Sequence, residues 1–180
     1  KNTKIEILNV IDPILLEIKK ININCSIGVI GTKATIQSGI YDKKIKELCA
    51  NAKVHTLATP LLAPMIEEGF INEKISDTII QKYLSNPKLK NIDHLILACT
   101  HYPLIYKEIK KYYEGNVTVV DSAYIIARYV QKKLAISNLL KNTPYKENRF
   151  YVSNYTESFK KSAKFFFQED VNLEEIYLNV

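Results

Sequence analysis

LILACTHYPLI, residues 95–105, is the stretch from which the rest of the chain can be read. An aliphatic run, Leu95 to Ala98, ends on a thiol, a hydroxyl and an imidazole in succession: Cys99, Thr100 and His101. A short continuous apolar run fits a strand covered on both faces. Pro103 suits the first turn of a following helix over YPLIYKEIKKYYEG, and Gly115 stands just past its end. The reactive side chains therefore fall where a strand turns into a helix.

The same unit repeats on either side. Downstream, VTVVD (117–121) reads as a strand and SAYIIARYVQKKLAI as a helix with Ser122 as its cap. Upstream, CSIGVIGT (25–32) is a buried strand ending in glycine, and residues 33–50 place Ile36, Ile40, Ile45, Leu48 and Cys49 at helical spacing. AKVHTLAT (52–59) is a further strand, PLLAPMIEEGF a short helix closed by Gly69, and residues 72–86 a helix stopped before Pro87. At the start, IEILNV (5–10) reads as a strand and DPILLEIKK as a helix capped by Asp12. Residues 138–148 form a connection. RFYVS (149–153), TESFKKSAKFFFQ with Thr156 as its cap, and LEEIYL (173–178) close the chain as strand, helix and strand. Alternating strands and helices predict a three-layer α/β fold, with a mostly parallel sheet flanked by helices. Such sheets bind ligands beyond the carboxyl ends of their strands, where Cys99 lies.

Composition narrows the classes. Of 180 residues, 47% are hydrophobic, enough for a packed core. No apolar run reaches the roughly 18 residues that would cross a membrane, and the N-terminus has no signal-peptide pattern. The expectation is a soluble, cytoplasmic protein without a membrane partner. The formal net charge is +6, yet only Arg128 and Arg149 are arginines. Arginine is the usual residue for bidentate phosphate and base contacts, and the lysines sit on polar helix faces, so nucleic acid is not expected as a partner. Cys25, Cys49 and Cys99 are far apart and form no CxxC pair, which indicates neither a metal site nor a disulfide framework. The chain lacks an initial methionine and starts mid-pattern, as a piece of a longer protein would.

Three constellations can carry chemistry. GTKATIQSG (31–39) follows a strand and opens a helix; Thr32 and Thr35 either cap that helix or help hold an anion. It matches neither a Walker loop nor GxGxxG. In PMIEEGF (64–70), Glu67 and Glu68 stand near a helix C-terminus, where acids oppose the macrodipole. They are either exposed or engaged elsewhere, for instance with an ammonium group. In ACTHYP, Cys99 either fills the core or is a thiolate stabilised by a helix N-terminus and an imidazole. Cys25 at a strand start and Cys49 on an apolar helix face read as structural. So do His55 inside a strand and His94 ahead of one.

GVIGTKATIQSGIYDKKI, ATPLLAPMIEEGF, LILACTHYPLI and VTVVDSA, in this order and spacing, resemble consecutive blocks of the bacterial glutamate racemases. RFYVSNYTESFKKSAKFF resembles that family's last strand and helix. The Cys-Thr-His block is the most specific, since related aspartate racemases usually carry an acid after Cys-Thr. The resemblance implies a racemase-type lobe that acts on glutamate without a cofactor or metal. The family interconverts the L and D forms and supplies D-glutamate for peptidoglycan. Two cysteines face each other across the substrate: one thiolate takes the α-proton and the other thiol returns a proton to the opposite face. By the same resemblance Cys99 is the second of these cysteines. Thr100 binds the substrate's backbone groups, His101 assists proton transfer, Glu67 is the acid near the site, and Thr32 and Thr35 line the cleft. A homodimer is left open.

The family's Asp-Ser-Gly loop and Cys-Asn-Thr block do not occur. The resemblance therefore implies an inter-lobe strand and helix over 1–24, the second lobe over 25–148, and a C-terminal segment, 149–180, that would pack on a first lobe absent upstream of Lys1. That segment would otherwise be loose, swapped to another copy, or packed on the remaining lobe. With one thiol, this chain alone is expected to be inactive. Two other readings stand beside it. One is a cysteine hydrolase built on Cys99 and His101, for which the sequence offers no evident orienting acid. The other is a non-catalytic lobe kept as a binding module.

Overall fold

Leu95, Ile96 and Leu97 are fully buried, which only a strand covered on both faces allows. In the computed structural model, which describes residues 6–20, 25–71, 73–141, 148–167 and 169–177, this run is one of four parallel strands. They are β1 (Ser26–Gly31), β2 (Lys53–Ala58), β3 (His94–Ala98) and β4 (Thr118–Val120), arranged in the order β2-β1-β3-β4. Register pairs Gly31 with Ala58 on one side and with Ala98 on the other.

The pleat sends alternate side chains to opposite faces. Ile30, Leu95, Leu97 and Val119 meet α4 (Leu62–Glu67), α5 (Lys74–Leu84) and α6 (Tyr106–Tyr112). Ile27, Val29, Ile96 and Val120 meet α1 (Ile11–Ile18) and α3 (Ile40–Leu48), with Ile125 and Ile126 of α7 (Ser122–Ile136) against the same core. Each fully buried aliphatic side chain is worth roughly 1.5–3 kcal/mol over exposure, so the two cores fix strand register firmly. The result is the three-layer, parallel α/β architecture that the alternation predicts.

Strand order reverses between β1 and β3: from β1 the chain moves outward one way to β2 and the other way to β3 and β4. The carboxyl edge at such a reversal leaves a crevice, because the two crossovers depart in opposite directions.

A second, two-stranded parallel sheet joins β5 (Phe150–Val152) and β6 (Leu173–Glu175), with α8 (Glu157–Phe167) between them. Thr156 caps α8, accepting the Phe159 N–H at 3.1 Å. The helix packs on α4: the Ser162 hydroxyl donates to the Glu67 carbonyl at 2.6 Å.

Several local expectations are corrected. Residues 6–10 form no strand, and Ile5 lies outside the described residues. Asn9, not Asp12, caps α1, its side-chain oxygen accepting the N–H groups of Ile11 and Asp12. Asp12 sits in the first turn and pairs with Lys44 of α3. The helix over 33–50 is two, α2 (Lys33–Gln37) and α3, separated by Gly39 at φ +66°, a left-handed conformation that disfavours side chains. Asp121 caps α7 through the Tyr124 N–H, leaving Ser122 buried and donating to the Leu97 carbonyl at 3.0 Å. The helix after His101 starts as a 3₁₀ turn over Tyr102–Ile105. Residues 142–147 of the connection and Leu178 of the last strand lie outside the described residues.

Candidate active site

Gly31 and Ala98 end neighbouring strands at the reversal. A Cβ on Gly31 would come 3.2 Å from the Ala98 carbonyl oxygen and 3.3 Å from the Thr35 side chain. Glycine there lets the two strand ends and the first turn of α2 approach closely. Immediately past Ala98 stand Cys99, half-buried, Thr100, exposed, and His101, half-buried.

These residues make a connected chain. The Cys99 sulfur lies 3.7 Å from Nδ1 of His101. Nε2 of the same ring is 3.0 Å from a carboxylate oxygen of Glu67, at the end of α4. A carboxylate only accepts, so it holds the hydrogen on Nε2 and leaves Nδ1 of the neutral ring free to accept from the thiol. Glu67, placed where the macrodipole does not favour an acid, is thus engaged by an imidazole N–H rather than by an ammonium group. It is also the orienting acid that was not evident in the sequence. Tertiary packing supplies it, since 34 positions separate it from His101.

Burial pushes the Cys99 thiol above its ordinary value. The backbone N–H groups of His101 and Tyr102 act against that shift, and the Glu67 charge adds to it. Of the two readings left open for Cys99, a core thiol or a stabilised thiolate, burial disfavours the charged form, and the N–H groups only limit the rise. Tyr41, from α3, is close enough for a Cys99 charge to oppose its own ionisation. Burial first, and then that charge, push its phenol up to about 12.

Thr32 caps α2, its hydroxyl accepting the Thr35 N–H at 3.2 Å and lying 3.0 Å from the Thr35 hydroxyl. The capping geometry is thus present, and it sits at the mouth of the crevice. On the far side the Phe166 ring meets His101 edge-on, centroids 5.9 Å apart. An apolar groove of about 440 Å³ runs from His101 between Phe150, Phe159 and Phe167.

The other thiols are elsewhere. Cys25 and Cys49 are buried in the core beneath α1 and α3. The Cys25 carbonyl accepts from Lys53 at the first residue of β2. By register Cys25 lies two positions ahead of the Ile27–His94 pair, and about seven residues at about 3.3 Å each place it roughly 23 Å from Cys99. Among the described residues, no group of three or more His, Cys, Asp and Glu side chains is arranged to hold a metal ion. No described helix is long and apolar enough to cross a membrane.

Sequence reasoning missed three residues. Thr59 and Tyr102 are completely buried next to the site, and the Tyr41 phenol is raised in part by a Cys99 charge. A threonine before proline and tyrosines at helical spacing carry no pattern that separates them from ordinary core residues.

Comparison with known proteins agrees with the geometry. Residues 1–130 match the model of the Asp/Glu/Hydantoin racemase family. Glutamate racemase of Persephonella marina is 37% identical over 175 residues, 97% of this chain and 65% of the relative. That of Aquifex pyrophilus is 42% identical over 142 residues, 79% of this chain and 52% of the relative. A glutamate racemase isoform of Bacillus anthracis superposes with a TM-score of 0.88 at 31% identity, covering 99% of this chain and 67% of its own. The Francisella tularensis enzyme, solved in complex with D-glutamate, gives 0.83 at 33%, covering 94% and 63%. The chain thus spans between about half and two thirds of the length of these relatives. A parallel sheet with its thiol at the strand-order reversal, and sequence likeness along the whole of that sheet, have one joint consequence: the chain belongs to the Asp/Glu/hydantoin racemase family.

Proposed function

We propose that the protein is a glutamate racemase, a cofactor-independent, cytoplasmic enzyme that interconverts L- and D-glutamate for cell-wall synthesis, and that these residues form its second lobe and C-terminal segment. The observation that carries the reading is the Cys99–His101–Glu67 chain at the strand-order reversal. Inverting an amino-acid centre needs one group to remove the α-proton and another to return a proton on the opposite face. Cys99 is one such group. As a thiol it donates to the carbanion, and the thiolate left behind is held by the N–H groups of His101 and Tyr102. In the reverse direction His101 takes the thiol proton at Nδ1, and Glu67 stabilises the resulting imidazolium. Thr100, Thr32 and Thr35 stand round the mouth to bind the substrate's polar groups.

Among the described residues no second thiol faces the crevice. The opposite-face group then comes from a segment outside these 180 residues, which accords with the longer relatives. The domain boundaries proposed are 1–24 as the link between lobes, 25–148 as the lobe, and 149–180 as a segment shared with the absent lobe. Optical rotation of L-glutamate tests this. The protein expressed from its complete reading frame drives the signal to zero and the 180-residue chain leaves it unchanged; full turnover by the short chain would refute the two-lobe reading.

The hydrolase reading gains one observation, the orienting acid at His101. A trapped acyl group on Cys99 after incubation with an activated ester would favour it.

A further inference from the structure

Beneath Cys99 lies a pair of hydroxyl groups that the proton-transfer chemistry does not use. Thr59 follows β2 and Tyr102 follows His101; both are completely buried. The Tyr102 hydroxyl is 2.7 Å from the Thr59 hydroxyl and donates to the Thr59 carbonyl at 3.1 Å. The Thr59 hydroxyl donates to the Gly31 carbonyl at 3.2 Å, and the Thr59 N–H reaches the same oxygen at 2.9 Å. The single Tyr102 hydroxyl proton is shared between the Thr59 hydroxyl and carbonyl oxygens, and the Thr59 hydroxyl gives its own to Gly31, so the chain runs from tyrosine to threonine to Gly31. The chain ties the exits of β1, β2 and β3 together.

A buried hydroxyl is costly unless bonded, and phenylalanine and valine would fill these volumes without that demand. What the pair adds is position. Tyr102 cannot shift along its ring without breaking the chain, and its backbone N–H donates to the Cys99 carbonyl at 3.2 Å, closing the turn that carries the thiol and His101.

We infer that Thr59 and Tyr102 are positioning residues, a hydroxyl staple that holds the Cys99–Tyr102 turn and with it the sulfur 3.7 Å from Nδ1 of His101. This rests on the reading of Cys99 as an acid–base thiol and names what tunes it. Of the ionisable groups, His101 lies 3.7 Å from the sulfur, and Glu67 from α4, Tyr41 from α3 and Tyr102 of its own loop are electrostatically coupled to it.

The test is the pH dependence of Cys99 alkylation by iodoacetamide in the intact chain, with each cysteine read separately by peptide mass spectrometry. In Tyr102→Phe the inflexion moves up by about one pH unit, a roughly tenfold loss of thiolate at neutral pH. In Thr59→Val it moves the same way by less, because the residue-59 carbonyl still receives the Tyr102 hydroxyl. Thr59→Ser restores the original profile. An unchanged profile with a lowered melting temperature would overturn the inference, since a merely structural pair affects folding and not the thiol. Should Tyr102→Phe fail to fold, Thr59→Val decides by the same criterion. Failure here leaves racemisation intact. Failure of the racemase reading, by contrast, shows as an unchanged optical rotation of L-glutamate with the protein expressed from its complete reading frame, and leaves the alkylation profile untouched.

Discussion

The two edges of the central sheet carry the same kinds of residue and differ in what surrounds them. The amino edge holds Cys25, Cys49, Asp93 and His94; the carboxyl edge holds Cys99, His101 and Glu67. At the amino edge Asp93 receives the Ser26 N–H at 2.6 Å and its own N–H returns to the Ser26 carbonyl, a closed strand-to-strand clasp. His94 is pushed below its ordinary value by burial, and its Nδ1 is buried with no hydrogen-bond partner among the described residues. Burial, then the Asp93 charge, raise the Cys25 thiol. That edge even borders the larger cavity, about 700 Å³ near Asn91, Tyr113 and Asn116. Yet among the described residues no hydrogen bond or ion pair joins a thiol, an imidazole and a carboxylate there. At the carboxyl edge such contacts join the three, because the reversal of strand order opens a crevice and the loop after β3 turns its polar side chains into it. Residue type is thus a weaker guide to chemistry than the end of the strand on which the residue stands.

The largest expected difference between the edges is in turnover. In the protein expressed from its complete reading frame, Cys99→Ala lowers kcat by on the order of a thousandfold or more. Cys25→Ala and Cys49→Ala leave kcat alone and cost roughly 1 kcal/mol each in urea unfolding, the price of a small cavity. Equal activity losses in all three would erase the distinction. Accessibility separates the edges next: in the native chain iodoacetamide labels Cys99, while Cys25 and Cys49, at 7% and 5% exposure, label only as the chain unfolds. Faster labelling of either core thiol than of Cys99 would contradict the burial pattern.

Glu67→Gln sharpens the account of the carboxyl edge. The amide oxygen still accepts the His101 Nε2–H, but the charge is gone, so kcat falls roughly tenfold with KM nearly unchanged; Glu67 is half exposed and solvent limits the effect. A change confined to KM would make Glu67 a substrate contact instead. The smallest effect is shared by both edges. Cys25, Cys99, Tyr41 and Tyr113 all hold their protons more tightly when folded, chiefly through burial. Their contribution to stability is whole below the ordinary values of 9.0 and 10.0, and is lost as pH rises toward about 12. Urea midpoints should therefore decline steadily above pH 9. A midpoint that holds or rises there would mean these groups are not desolvated.

The sheet was legible because its strands are continuous aliphatic runs punctuated by glycine and proline, and Leu95–Ala98 is the clearest of them. Cys99, Thr100 and His101 were legible through their place at the end of that run. Where expectation failed, competing local forces were close in strength. Asn9 and Asp12, or Asp121 and Ser122, are all good helix caps, and only tertiary packing selects between neighbours. Ile36, Ile40 and Ile45 keep helical spacing across Gly39, so periodicity alone did not reveal the break. The Glu67–His101 contact and the Thr59–Tyr102 pair join residues more than thirty positions apart, and no local pattern encodes such a meeting. The glutamate racemase resemblance supplied Glu67 as a site residue; the residues by themselves left it between an exposed helix end and an engaged acid.

The most direct test of the central claim, that Cys99 serves one face of the substrate's α-carbon, is hydrogen exchange in D₂O. Each glutamate enantiomer is incubated with the protein expressed from its complete reading frame, and loss of the α-proton is followed by NMR. The account predicts that the parent enzyme exchanges and interconverts both enantiomers, and that Cys99→Ala stops interconversion and abolishes exchange from one enantiomer. Continued interconversion by Cys99→Ala would contradict it.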